Sequence, residues 1–333
     1  INAYGKIYLY SLIVPLISIS GIFLAYINKQ NKLNSLIKNG IAPLKAKGMI
    51  FISPELTKPN VLIIIGSIIF VLFTLFIGTS KIQFSQEIVF VGSFGIILLL
   101  LIKLSNELDT KAKRMLLGTA IIIFVFRAMP GVGQGGSWFE IDVLKFDQEF
   151  LSLLGLIASF LTIFGIFILR PLMEKSSMSR LIIILSVAGS IFILPSIAMY
   201  YGFHEYTSKL TGGIVDERFI AIFNTALESP LGQVSMIPIL AWIAQSAPSH
   251  LKATFFAILA SFTNLALSAS NLGTKYLNQI FVITREVKTE QGEIKIPADY
   301  SELGILLIIV CLLTLIVPII ITFVIKKLRL ISY

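Results

Sequence analysis

Charge is what this sequence has least of: Asp, Glu, Lys and Arg together make up 14% of its 333 residues, where soluble domains carry roughly a quarter. Hydrophobic residues reach 56% and the mean hydropathy is +0.90. A water-soluble fold has too little polar surface to cover that apolar content, which excludes an ordinary soluble domain. Cysteine is nearly absent too. Cys311 stands alone inside an apolar run, so it offers neither a disulfide partner nor a thiolate metal set, and it is expected to pack or to face lipid. The two histidines, His204 and His250, lie at the ends of apolar runs and far apart. They assemble neither a metal site nor a catalytic set with Ser, Asp or Cys, so no cofactor, metal or catalytic residue is assigned and no enzyme is expected. A cleavable signal peptide is missing as well, because the first apolar stretch is too long and lacks a small-residue cleavage site.

What the sequence has instead is a series of long apolar runs. Val61 to Thr79 and Leu303 to Ile325 contain almost no charge, and about 20 residues of helix cross a hydrocarbon core of ~30 Å. Short alternating segments, the mark of a membrane barrel, do not appear. The reading is an all-α polytopic membrane helix bundle of about nine spans, at 7–27, 61–79, 88–102, 115–139, 150–169, 181–203, 219–246, 253–280 and 303–325. The segment from Asn28 to Asn60 is read as a Lys- and Asn-rich connector, either solvated or lying on the membrane surface.

The formal charge of +9 points to topology rather than to nucleic acid. If the loop bearing Lys29, Lys32 and Lys38 is cytoplasmic, that side collects 17 basic residues against four acids, and the other side eight against thirteen. Basic residues gather in cytoplasmic loops, so the N-terminus is placed outside and the C-terminal tail in the cytoplasm, with a bacterial inner membrane as the expected location. Twelve-helix carriers are built from two six-helix halves with both ends inside. Nine spans ending inside correspond to spans four to twelve of such a protein. The expectation is therefore a chain that lacks about three N-terminal spans: a partial first half over 1–102, a cytoplasmic linker at 103–114, and a complete C-terminal six-helix half over 115–333.

Three charged residues fall inside the spans: Arg127, Glu228 and Lys275. A charge at mid-span costs at least ~2.5 to 3.5 kcal/mol and therefore faces the bundle interior or a watery cavity. At the helical rise Arg127 lies about 18 Å deep and Glu228 about 13 Å deep, the depth at which carriers hold their substrate. Arg127 precedes Met129-Pro130-Gly131-Val132-Gly133-Gln134-Gly135-Gly136, where Pro and Gly should kink or break the helix. Such a break frees backbone groups suited to an anion, although the glycines also permit close helix packing. The phosphate-loop reading fails because no Gly-Lys-Ser/Thr follows. Glu228 precedes Ser229-Pro230; it is read either as a proton-coupling carboxylate or as half of a static ion pair with Arg127 or Lys275. Gln233, Asn224 and Asn264 offer hydrogen bonds to a polar solute or between helices. Lys275, about 33 Å along its helix, is a possible ion-pair partner or snorkels outward.

Phe126-Arg127-Ala128-Met129-Pro130 through Trp138-Phe139-Glu140-Ile141-Asp142-Val143-Leu144-Lys145-Phe146, and Ala247-Pro248-Ser249-His250-Leu251-Lys252-Ala253-Thr254-Phe255-Phe256-Ala257 continuing into Asn264 and Asn271-Leu272-Gly273, resemble the folate-biopterin transporter family, a branch of the major facilitator superfamily. The likeness covers Met115 to Tyr333. It implies a major-facilitator-like fold and proton-coupled uptake of folate or a related pterin as the small-molecule partner. Arg127 would then hold a carboxylate, and Trp138, Phe139 or Phe255 would stack on the pterin ring. Carriage of another organic anion, a truncated non-transporting remnant and a membrane-embedded transferase are the alternatives.

Overall fold

The computed structural model describes residues 10–50, 61–80, 82–106, 108–231, 237–242, 252–288 and 294–330. Helices dominate, as the apolar runs require: with no water in hydrocarbon, each backbone N–H and C=O must be satisfied within its own segment. Contacts divide the chain into two units, residues 1–59 and 60–333.

The first unit holds α1 (Ile13–Lys38) and α2 (Pro43–Ile50), joined by a turn at Gly40. Here the sequence expectation needs correction. The helix expected to stop near residue 27 runs eleven residues further to Lys38, and much of the presumed connector is helical. Lys, Gln and Leu are good helix formers, and a lysine in the last turn suits the helix C-terminus, so the polar stretch extends the apolar one.

The second unit comprises α3 (Val61–Thr79), α4 (Ser85–Ser105), α5 (Thr110–Arg127), α6 (Gln134–Asp142), α7 (Gln148–Ile168), α8 (Arg170–Lys175), α9 (Met178–Tyr200), α10 (Phe203–Leu210), α11 (Glu217–Glu228), α12 (Lys252–Ile280) and α13 (Leu303–Lys327). A short antiparallel hairpin pairs Val287 with Ile296. Among the described residues six helices are long and apolar enough to cross a membrane: α1, α4, α7, α9, the 254–280 part of α12, and α13. The 64–79 part of α3 is a shorter apolar helix. The two other expected spans are discontinuous. One is split into α5 and α6, the break the Pro-Gly run foretold. The other ends α11 at Glu228, passes through a 3-10 turn at Ser229–Leu231, and resumes as helix at 237–242. Within the segment expected as a linker, 103–114, α4 continues to Ser105 and Asp109 caps α5 by accepting from the Ala112 amide at 2.8 Å.

Asp147 and Asp216 cap α7 and α11 in the same way, each supplying an acceptor to an otherwise orphaned amide. α9 and α13 make the most extensive helix pair. Small residues allow it: Ser186 is fully buried and Ser190 Oγ donates to the Cys311 carbonyl at 3.3 Å, while Cys311 Sγ donates to the Ser190 carbonyl at 3.4 Å. Close approach of small residues is how helices associate where lipid is as apolar as leucine. Two buried clusters hold the unit: Leu100, Leu104, Ile123, Phe255 and Leu259 join α4, α5 and α12, and Phe139, Phe150, Met199, Leu303 and Leu307 join α6, α7, α9 and α13. Phe255 is completely buried there, so it is a core residue and no stacking surface.

Candidate functional site

The site begins with the break at residues 128–133. α5 ends at Arg127, and Gly133 then adopts φ +79° and ψ −163°, a conformation essentially restricted to glycine. A Cβ there would also lie 2.8 Å from the Asn278 amide nitrogen. The backbone groups freed by the break go to α12 rather than to open space. The Gly131 amide donates to Thr274 Oγ1 at 2.9 Å, Ser270 Oγ donates to the Met129 carbonyl at 2.7 Å, and Asn278 Nδ2 donates to the Val132 carbonyl at 3.1 Å. Ser270, Thr274 and Asn278 recur every four residues, hence on one face of α12. That face satisfies the broken backbone, so the Gly131 amide, a donor expected to await an anion, is already engaged, as are the Met129 and Val132 carbonyls.

The adjoining face of α12 is polar in a different way. Ser261, Asn264, Ser268, Asn271 and Lys275 recur at spacings of three and four along about 21 Å of helix. The first four line a cavity of about 500 Å³, opposite Thr74 of α3 and Gln86, Ser93 and Phe90 of α4. A second cavity, of about 680 Å³, is lined by Gln86, Glu87, Gln134, Trp138, Lys275 and Asn278. Gln86 and Asn271 line both, so the two cavities adjoin in the cleft between α3, α4, α6 and α12. Volumes of roughly 300 to 1,000 Å³ suit a small organic ligand.

Charge in the cleft is concentrated at one point. Lys275 Nζ donates to Glu87 Oε1 at 2.7 Å, and the Tyr276 hydroxyl donates to the same oxygen at 2.9 Å. The side chains are 35% and 18% exposed for Lys275 and Glu87. Glu87 Oε2 and, deeper in the cleft, Thr74 Oγ1 are buried with no hydrogen-bond partner among the described residues. Unsatisfied buried polar atoms are rare and costly in folded proteins, and two of them border this cleft.

The residues singled out in the sequence are dispersed. Asn264, Trp138 and Lys275 line the cleft. Phe139 does not: it is buried against Tyr200 and Tyr300, with ring centroids 5.5 and 5.9 Å away, because it and Trp138 point in different directions from one helix. Arg127 is half-buried at the end of α5, and Glu228 is exposed at the end of α11; neither lines either cavity. Among the described residues Lys275 pairs with Glu87 and not with Glu228. Asn224 donates to the Phe192 carbonyl of α9 at 3.3 Å and so ties two helices. Gln233 lies outside the described residues. Ser268 and Asn271 were missed, although the three-and-four spacing of polar residues along α12 was there to be read; Gln86 and Glu87, just before an apolar run, gave no such signal.

At the C-terminal end of α6, away from the cleft-lining Gln134 and Trp138, a second polar network forms outside the spans. Arg285 grips Asp142 with two of its guanidinium nitrogens, Nη2 at 2.8 Å and Nε at 2.9 Å, and the Tyr300 hydroxyl donates to Asp142 at 2.7 Å. Tyr200 hydroxyl reaches the Tyr300 and Ser301 carbonyls, and Glu302 accepts from the Val282 amide. The segment between α12 and α13 is thereby fastened over α6. The Arg285 guanidinium holds the Asp142 carboxyl below the usual carboxylate range, against the opposing effect of burial. Burial first, and then the hydrogen bond to Asp142, push the Tyr300 hydroxyl up to about 12.

A bundle of apolar helices with discontinuous spans and a polar cleft defines an integral membrane protein of the polytopic helical class. The sequence model of the BT1 family matches residues 55–332, and the chain belongs to that family, the folate-biopterin transporter family. It is similar to the folate-biopterin transporter of Synechocystis sp. (strain ATCC 27184 / PCC 6803 / Kazusa), with 23% identity over 156 residues, which is 47% of this chain and 30% of that protein. The match therefore spans under a third of the relative's length. No solved structure matches the chain significantly.

Proposed function

We propose that the protein carries folate or a related pterin across a membrane as a secondary transporter. The observation that carries this reading is the polar stripe Ser261, Asn264, Ser268 and Asn271, which faces Gln86 and Thr74 across an open cavity amid otherwise apolar helices. Polar groups inside spans are costly and mark substrate paths. Family membership supports transport, and the Synechocystis relative's name supports the substrate class. Trp138 in the cleft wall offers a flat face to a pteridine ring, and Asn264 and Asn271 offer the paired donors and acceptors that its edge requires.

Proton coupling and alternating access belong to the same proposal. Glu228 is the carboxylate assigned to the coupling proton: it ends a discontinuous helix and has no hydrogen-bond or ion-pair partner among the described residues. Alternating access would be a rocking of the α3–α4 side of the cleft against the α6–α12 side. The positive-inside asymmetry supports an outer N-terminus and a cytoplasmic tail.

The test is uptake of radiolabelled folate and biopterin by transport-deficient cells making the full-length protein. Uptake that rises as the external pH falls, and that either unlabelled pterin inhibits, is the expected result. Uptake of neither compound, or inhibition by unrelated organic anions and not by pterins, would contradict the substrate assignment.

A further inference from the structure

The ion pair at the end of the cleft is built for exchange. Lys275 carries three N–H donors and gives one of them to Glu87 Oε1 among the described residues, so its remaining donors border a cavity of about 680 Å³. Glu87 is held independently of the lysine. It sits in the first turn of α4, where the helix N-terminus favours a negative charge, and Tyr276 donates to the same oxygen. Loss of the lysine therefore does not leave Glu87 an isolated charge. Lys275 by contrast has no other anion among the described residues to turn to.

We propose that Lys275 is the anion-binding residue of the cleft, and that Glu87 is its resident counter-ion, displaced when a substrate carboxylate takes the ammonium. The displaced Glu87 keeps the Tyr276 hydroxyl and its place in the first turn of α4, which lowers the cost of giving up its cation. This deepens the transport reading by naming the group that selects anions, and it rests on that reading only for the identity of the ring. A ligand without a carboxylate would use the asparagines and Trp138 but not Lys275.

Binding to the purified full-length protein separates the possibilities, with three probes: folate, biopterin, and p-aminobenzoylglutamate, which has the carboxylates and lacks the pteridine. Lys275→Gln is expected to weaken folate and p-aminobenzoylglutamate by roughly ten- to a hundredfold, the range for a hydrogen bond to a charged group, and to leave biopterin unaffected. Glu87→Gln is expected to tighten both anions by removing their competitor. Wild-type affinity of Lys275→Gln for p-aminobenzoylglutamate would overturn the assignment, as would a wild-type protein that does not bind this probe. So would equal weakening of all three ligands by both variants with recovery in the Glu87→Lys/Lys275→Glu double variant, the signature of a static tie. Lys275-dependent binding of p-aminobenzoylglutamate with no binding of biopterin would uphold the anion site and sink the pterin reading alone. If Lys275→Gln does not fold, acylation of Lys275 in the wild-type protein reads the same exchange: protection by p-aminobenzoylglutamate supports it, and equal labelling with and without the probe overturns it.

Discussion

Gly133 shows how one residue fixes the site. Its backbone occupies a region closed to other residues, and the Asn278 amide stands where a side chain would begin. Gly133→Ala should therefore cost about 1 to 3 kcal/mol, read as a lower unfolding temperature in detergent. Asp142 answers to pH at the same scale. Because Arg285 lowers its folded pKa, its contribution is present above the unfolded value of about 3.9 and fades as pH falls through the lower folded value. Tyr300 has the opposite sign. Its hydroxyl is raised to about 12, so its contribution is present below the ordinary tyrosine value of about 10 and is lost as pH rises from there toward the folded value. Protection of the amides of 282–288 and 294–300 from hydrogen exchange should thus be level between about pH 4 and 10 and should fall on both sides. Asp142→Asn should shrink the acid limb, leaving the part due to Asp299, whose carboxyl is held down by its hydrogen bonds to Ser301.

At the scale of elements, α12 is the organising helix. One of its faces repairs the break between α5 and α6, the adjoining face lines the cleft, and the buried Phe255, Leu259 and Phe262 pack on α4 and α5. Thr274→Val removes the acceptor of the Gly131 amide. The expected loss is about 0.6 to 1.7 kcal/mol, the range for interhelical hydrogen bonds in membranes; a thermal unfolding series across Ser270, Thr274 and Asn278 variants would measure it. The spans were legible in the sequence because hydrocarbon forces long uncharged runs, and the break was legible because Pro130 and the glycines forbid a continuous helix. The extension of α1 to Lys38 was not, since loss of hydrophobicity and loss of helix are different events that the composition alone does not separate. Lys275 was visible as an intramembrane charge, but Glu87 stood just beyond its apolar run and read as a loop residue until α4 proved to begin at Ser85. Asn264 and Trp138 fell in the cleft because polarity and aromaticity inside a span are informative; Phe139, one residue on, shows that they do not tell which way a helix faces.

For the whole molecule, the central claim is that one polar cleft between α3, α4, α6 and α12 receives the substrate. Asn271 stands where both cavities meet, is exposed to the cleft rather than engaged in the core, and takes no part in repairing the break. Affinity of the purified Asn271→Leu protein for folate and biopterin, with folding verified by its unfolding temperature, addresses the claim directly. A fall of about tenfold or more for both ligands, the worth of a hydrogen bond lost in a desolvated site, is the predicted result; wild-type affinity for both in a folded protein would contradict it.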